Sequence, residues 1–366
     1  MCDGGVMNKQ NLDILRVLEE QGFKAYVVGG YVRDYLMKKN SSDIDICTNA
    51  RPKDLIKIFN AKVPKEKYGS LVVYYKNTRY EITSFRKELR YENRRPVEVE
   101  YTDLLEEDLV RRDFTINALC MDKDCNITDL YGGKRDIDLR ILRCIGDANI
   151  KFREDPLRML RAIRFATTLN FKLDDSIILA IKENGYLLRH ISYDRKKSEL
   201  SKIFASVNVK RGIKLLYGFK LDNVLELKNL DKIRPCKDIL GIWAQLDVKE
   251  IYPFTKNELE IIKDVDTIVK SKTISKYDIY KYGLYKSTIA AEILGINKNI
   301  IVKLDRGLKI HKRSDIDITV LELKGILNKK DGKWISDIYF DLENKIIYGK
   351  LKNNKKDIID YVVKNY

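Results

Sequence analysis

The apolar pattern of this chain changes period near residues 145–150, and no other feature limits its possible folds so strongly. Before that point, short runs with period-two alternation are interleaved with amphipathic helical stretches. After it, strand signals are absent and long helical periodicities take over. Only one of the six prolines lies beyond residue 236, so little interrupts the later helices. At 366 residues the chain is long enough for more than one domain. The expected class is α+β: an N-terminal head with a small mixed sheet, then an elongated all-α C-terminal half.

Within the head, "MNKQNLDILRVLEEQG" reads as a helix and "KAYVV" as a strand. A Gly-Gly turn and the short helix "YVRDYLMKK" follow. "DIDICT" alternates, with Ile44 and Ile46 on one face and Asp43 and Asp45 on the other. "RPKDLIKIF" begins another helix, and "SLVVYYK" and "RYEITSF" read as strands. The polar stretch "RKELRYENRRP" (86–96) reads as a surface loop ahead of the strand "VEVEYTD". "WISDIYFDLENKIIYGKLKNN" predicts a helix that stops at Gly349.

Two carboxylates on one strand face repel each other, and a hard divalent cation relieves the repulsion. Gly29-Gly30, after a strand and before a helix, allows a ligand close to the backbone, next to free N–H groups at a positive helix end. Arg33, one turn further, adds a fork of donors for phosphate oxygens. Together these features suggest a nucleoside triphosphate with its Mg²⁺. Charge agrees: 70 Lys+Arg against 54 Asp+Glu gives a net +16, which suits a nucleic-acid partner better than a membrane surface. The two histidines, His190 and His311, are too far apart for a His-rich metal site. The six cysteines form no C-x-x-C pair and suggest no disulfide framework. With no leader pattern and no long apolar run, the expected location is the cytoplasm, with no membrane and no evident protein partner.

"GGYVRD" followed by "DIDI" resembles the signature of the polymerase-β nucleotidyltransferase superfamily. "EEDLVRRDFTINAL" (106–119), "DLYGGKRDIDLRILRCIGD" (129–147) and "REDPLRMLRAIRFA" (153–166) follow in order. The ordered set resembles the class II tRNA nucleotidyltransferases, which add CCA to tRNA 3′ ends, and their poly(A) polymerase relatives. The resemblance is strong over residues 10–205 and thin beyond. It implies a catalytic head at 1–145, a nucleotide-selecting neck at 146–205, a helical body at 206–270 and a tRNA-binding tail at 271–366. It implies that Asp43 and Asp45 hold two Mg²⁺ ions while the RNA 3′-hydroxyl attacks the α-phosphorus in line. Glu81 is the candidate for a third carboxylate. Gly29, Gly30 and Arg33 would take the phosphates, Arg112 the nucleotide, and Asp113 and Asn117 the ribose side.

In "EDPLRMLRAIRFA" the residues Asp155, Arg158, Arg161 and Arg164 recur every third position as one slanting stripe. Leu157, Leu160 and Ile163 form a second stripe that can be buried. The bland alternative is Asp155 paired with Arg158 on a solvated face. The resemblance favours base reading, and the chemistry is suitable. Cytosine and adenine present an amine beside an unprotonated ring nitrogen, which match a carboxylate acceptor and a guanidinium donor. Guanine and uracil present the reverse and meet two repulsive contacts. Asp155 and Arg158 would thus select CTP and ATP, with Arg161 fixing orientation and Arg164 on the base or phosphate side. The loop at 86–96 would re-aim the site for ATP. Lys/Tyr-rich stretches such as "KSKTISKYDIYKYGLYKSTIA" suit contacts along the acceptor arm and elbow of tRNA. A CC-adding or A-adding enzyme or a poly(A) polymerase are the neighbouring readings. A catalytically silent RNA-binding module is the reading from another class, opposed by the intact acid pair.

Overall fold

The computed structural model describes residues 12–41, 43–60, 70–76, 78–92 and 95–366; the first residues of the opening helical stretch, Cys2 and the centre of the polar stretch lie outside these. The chain divides into two units, Met1–Leu225 and Glu226–Tyr366.

The first unit opens with α1 (Asp13–Glu20), β1 (Ala25–Val28), α2 (Gly30–Leu36), β2 (Ile44–Thr48), α3 (Pro52–Phe59), β3 (Ser70–Tyr75) and β4 (Thr78–Ser84). With the later β7 (Cys120–Met121) and β8 (Ile127–Thr128), the strands form a sheet ordered β3-β4-β2-β1-β7-β8. Only the β2–β4 pair is parallel, so the sheet is mixed, as expected. Ile44 and Ile46 are buried with Leu15, Leu18, Val27 and Ile82 in one core. Each contributes roughly 1.5–3 kcal/mol by leaving water. A one-residue slip of β2 would exchange these isoleucines for Asp45 and Cys47, which fixes the register. Cys47, on the opposite face, joins a second cluster with Val28, Phe85, Leu109 and Cys120.

The polar stretch is not a loop: most of it is β5 (Arg86–Glu92), which pairs antiparallel with β6 (Arg95–Tyr101), largely the strand expected from "VEVEYTD". Apolar alternation is missing from β5, where charge pairs brace the base of the hairpin. Glu88 meets Arg86 at 3.1 Å and Arg111 at 3.5 Å, and Lys87 meets Glu107 at 2.8 Å.

Next come α4 (Leu105–Val110), a 3₁₀ turn at Thr115–Asn117, and, after β8, α5 (Gly133–Leu139) and β9 (Ile141–Leu142). A Cβ on Gly133 would lie 2.4 Å from the Thr115 carbonyl oxygen, so α5 approaches the turn as only glycine allows. α6 (Ala148–Glu154) is capped by Asp147, whose carboxylate accepts from the Asn149 and Ile150 N–H groups. α7 (Leu157–Thr168), α8 (Asp175–Asn184), α9 (Tyr193–Phe204), α10 (Val209–Gly218) and α11 (Leu221–Val224) complete the unit. One short strand occurs after residue 150, against expectation: β10 (Lys172–Leu173) pairs parallel with β9. Two residues are too few to leave an alternating signature.

α7 begins at Leu157, with Pro156 as its cap residue, and is buried around most of its circumference. Leu157, Leu160 and Ile163 are buried as expected, and so is Arg158. The solvated-face alternative is therefore excluded.

The second unit is helical throughout its described length: α12 (Ile239–Ala244), α13 (Lys256–Ser271), α14 (Lys276–Leu294), α15 (Lys298–Arg306), α16 (Val320–Leu327), α17 (Trp334–Ile347) and α18 (Lys355–Asn365). Its own core includes Ile279, Ile301, Ile338, Leu342 and Ile346. α14 breaks at Gly283 (φ 80°, ψ 164°), and α17 stops two residues before Gly349. No helix among the described residues is long and apolar enough to cross a membrane.

Candidate active site

The glycine turn, the acid pair and the Asp/Arg stripe meet around one cavity of about 510 Å³ in the first unit. Its walls include Gly29, Gly30, Arg33, Asp43, Asp45, Arg112, Asp113, Asn117, Asp155, Arg158, Arg161 and Arg164. A second cavity of about 450 Å³ shares Asp43, Asp45 and Arg112 and adds Glu81, Ser70 and Arg111. Every residue singled out in the sequence thus lines one of the two.

Asp45 lies on β2 and is in register with Glu81 on the parallel strand β4, so their side chains share a face. Asp43 stands one residue before β2, largely exposed, with Arg79 at 3.7 Å. The Ser70 hydroxyl donates to Glu81 Oε1 at 2.9 Å. Burial pushes the Asp45 carboxyl up to about 6, and the charges of Glu81 and Asp43 push the same way. These acids form an oxygen-only donor set in mutual repulsion, the chemistry that suits a hard divalent ion completing its shell with phosphate and water. Among the described residues, no three acid, histidine or cysteine side chains are placed to hold a metal ion together, which leaves the pair Asp43 and Asp45 as the candidate ligands.

Gly29 caps α2 with φ 80° and ψ −134°, a conformation closed to L side chains. A Cβ there would lie 3.7 Å from Asp45 Oδ2 and 3.9 Å from Arg112 Nη1. Arg33 does not project freely. It donates to Asp34 and, through Nη1, to Asn117 Oδ1 at 2.8 Å. The Asn117 amide donates to Asp113 Oδ1, and Arg161 donates to Asp113 Oδ2 at 2.7 Å. This relay of four side chains ties α2 to α7 through the 3₁₀ turn. Burial would raise the Asp113 carboxyl, but Arg161 and Asn117 outweigh it and hold it below its ordinary value. Asp108, fully buried, takes Arg111 at 2.6 Å and Arg112 at 3.1 Å. Burial opposes the Arg112 charge, and Asp108 overcomes it, so the guanidinium is held above its ordinary value. The Arg112 Nε is buried without a hydrogen-bond partner.

The stripe is not self-paired. Asp155 accepts from the Leu157 N–H through Oδ1 and from Arg195 through Oδ2 at 2.8 Å, instead of pairing with Arg158. Arg158 donates to Glu154 at 2.7 Å and to the Lys151 and Arg111 carbonyls. Arg164 donates to Glu199 at 2.6 Å. Phe165, also in the cavity wall, carries the Arg164 guanidinium 4.0 Å from its ring centroid, with Arg33 and Arg161 at 5.3 and 5.6 Å. Sequence reasoning passed over Arg195, Glu199 and Phe165. Helical spacing of Arg195 and Glu199 was the available signal, but their partners lie 40 and 35 positions away.

The arrangement places acids able to hold a cation beside a cationic, glycine-edged cavity whose wall also carries the carboxylates of Asp113 and Asp155. Residues 25–143 match a family model described as "Poly A polymerase head domain", and residues 254–362 match one for tRNA nucleotidyltransferase domain 2. The chain is 33% identical to the CCA-adding enzyme of Staphylococcus haemolyticus, with 99% of each covered. It is 33% identical to that of Bacillus subtilis, with 96% of each covered. It superimposes on the Bacillus stearothermophilus CCA-adding enzyme, crystallised in complex with CTP, with TM-score 0.83 and 27% identity over 97% of this chain and 96% of that one.

Proposed function

This chain belongs to the CCA-adding enzymes, the tRNA nucleotidyltransferases of the polymerase-β superfamily, and from that premise we propose that it adds C, C and A to the 3′ end of tRNA from CTP and ATP. The observation that carries the proposal is the single cavity lined by both Asp43/Asp45 and Asp155/Arg158. Positioning and charge stabilisation supply most of what such a transfer requires.

Asp43 and Asp45 would hold Mg²⁺, with Glu81, the candidate third carboxylate, in register with Asp45 on the neighbouring strand. Bound there, the ion would neutralise the triphosphate and make the RNA 3′-hydroxyl more acidic. Arg33 and Arg112 offer donors to the phosphates beside Gly29 and Gly30, where no Cβ stands in the way. The Asp113–Asn117 pair lies on the ribose side and transmits the position of α2 to Arg161. Asp155 accepts the exocyclic amine of cytosine or adenine, and Arg158, oriented by Glu154 and two carbonyls, donates to the ring nitrogen. Arg164, neutralised by Glu199 and stacked on Phe165, supports this wall. The stretch at 86–96 is read as the element that re-aims the site from CTP to ATP.

Residues 1–145 are read as catalytic head, 146–205 as nucleotide-selecting neck, 206–270 as body and 271–366 as tRNA-binding tail, in the cytoplasm. The test offers tRNAs ending before CCA, after C and after CC, with each labelled nucleotide and Mg²⁺. Two C additions followed by one A support the proposal. A alone, C alone or a long A tail would move the chain to an A-adding, CC-adding or polyadenylating activity.

A further inference from the structure

Asp155 stands between α6 and α7, where a short side chain can rotate. Its Oδ1 accepts the Leu157 N–H at 3.1 Å, which fixes one oxygen and leaves the carboxylate able to turn about that bond. Arg195, from α9, donates to Oδ2 at 2.8 Å and removes that freedom. An ionised carboxylate has about four lone-pair sites, so two bonds leave acceptor capacity for a base amine. Arg195 lines the same cavity as Asp155. One turn along α9, Glu199 holds Arg164, so a single helix grips both ends of the stripe.

We propose that Arg195 is a positioning residue for base selection, holding the Asp155 carboxylate in the orientation that accepts an amine and repels a carbonyl. The proposal rests on the reading of Asp155 as the base-selecting acceptor. A pair with Arg195 one-third exposed adds little to stability, so its effect belongs in discrimination, not in folding. Without Arg195 the carboxylate turns about the Leu157 bond, and a base bearing a carbonyl loses the repulsion that excludes it.

The experiment uses the full chain with tRNA lacking CCA and measures kcat/KM for CTP against UTP, and for ATP against GTP on tRNA ending in CC. Arg195→Met should lower both ratios about tenfold with the melting temperature little changed, and Arg195→Lys should stay within about threefold of wild type. The double variant Arg195→Met/Asp155→Asn should discriminate like Asp155→Asn alone, because the arginine acts through the acid. If Asp155→Asn loses discrimination and Arg195→Met keeps it, the positioning role is wrong and base reading by Asp155 stands. If Asp155→Asn itself keeps discrimination, both fall. An equal rise in KM for all four nucleotides in Arg195→Met would make Arg195 a triphosphate contact and overturn the proposal.

Discussion

Asp45 carries a cost that the metal-binding role proposed for it would explain. Its carboxyl titrates near 6 in the folded chain against an ordinary 3.8, so the folded state binds more protons between those values. Metal-free stability therefore falls as pH rises from about 4 to 6, and the loss is complete above that range. At 1.36 kcal/mol per pKa unit this amounts to about 2–3 kcal/mol. Asp45→Asn should accordingly melt higher than wild type at pH 8 in EDTA, the difference closing as the pH approaches 4. Its nucleotide incorporation should fall at least about a thousandfold. Gly29 makes the complementary point. Gly29→Ala forces a side chain into φ 80°, ψ −134° and sets a methyl 3.7 Å from Asp45 Oδ2. A loss of about 1–3 kcal/mol in urea unfolding, with weaker CTP binding, is expected. Both residues were legible in the sequence because a strand alternation and a Gly-Gly turn are local signals.

Elements show where that legibility ends. β2 could be read because Ile44 and Ile46 alternate with the acids, and α7 because Leu157, Leu160 and Ile163 recur at helical spacing. β6 could be read from the alternation Val97, Val99, Tyr101, but β5 could not, because charged residues occupy both parities of its sequence. The partners of the Asp/Arg stripe were hidden for another reason: Asp113, Arg195 and Glu199 reach it from 35 to 48 positions away, and an ion pair has no spacing rule at that distance. The Asp113 relay gives the test at this scale. Its carboxyl is held below the ordinary value, so its stabilisation is present above pH 4 and disappears as the pH falls through the folded pKa. Asp113→Asn leaves Arg161 without its counter-charge and should cost about 2 kcal/mol at pH 7, measured by thermal melting. The gap to wild type should shrink under acid conditions. A gap independent of pH would mean that the amide fails by shape alone.

Across the whole molecule, chemistry and charge are distributed differently. Every residue lining the 510 Å³ cavity lies between Gly29 and Arg195, inside the Met1–Leu225 unit, whereas the excess of lysine runs to the C-terminus. The change of period near residue 150 marked the end of the main sheet. It missed the boundary at 225/226, because both sides of that boundary are helical and no periodicity changes there. The distribution separates two ionic-strength responses. A net charge of +16 that meets tRNA phosphates releases counterions, so KM for tRNA should rise at least about tenfold between 50 and 200 mM NaCl. If base choice is made by Asp155 and Arg158, as proposed, it is made among side chains largely withdrawn from solvent, where screening is weak, so the CTP:UTP ratio should change less than about twofold. A KM for tRNA insensitive to salt would assign the lysine excess to composition and not to the RNA interface. A selection ratio that fell with salt would place the discriminating charges in water, outside the cavity that Asp155 and Arg195 line.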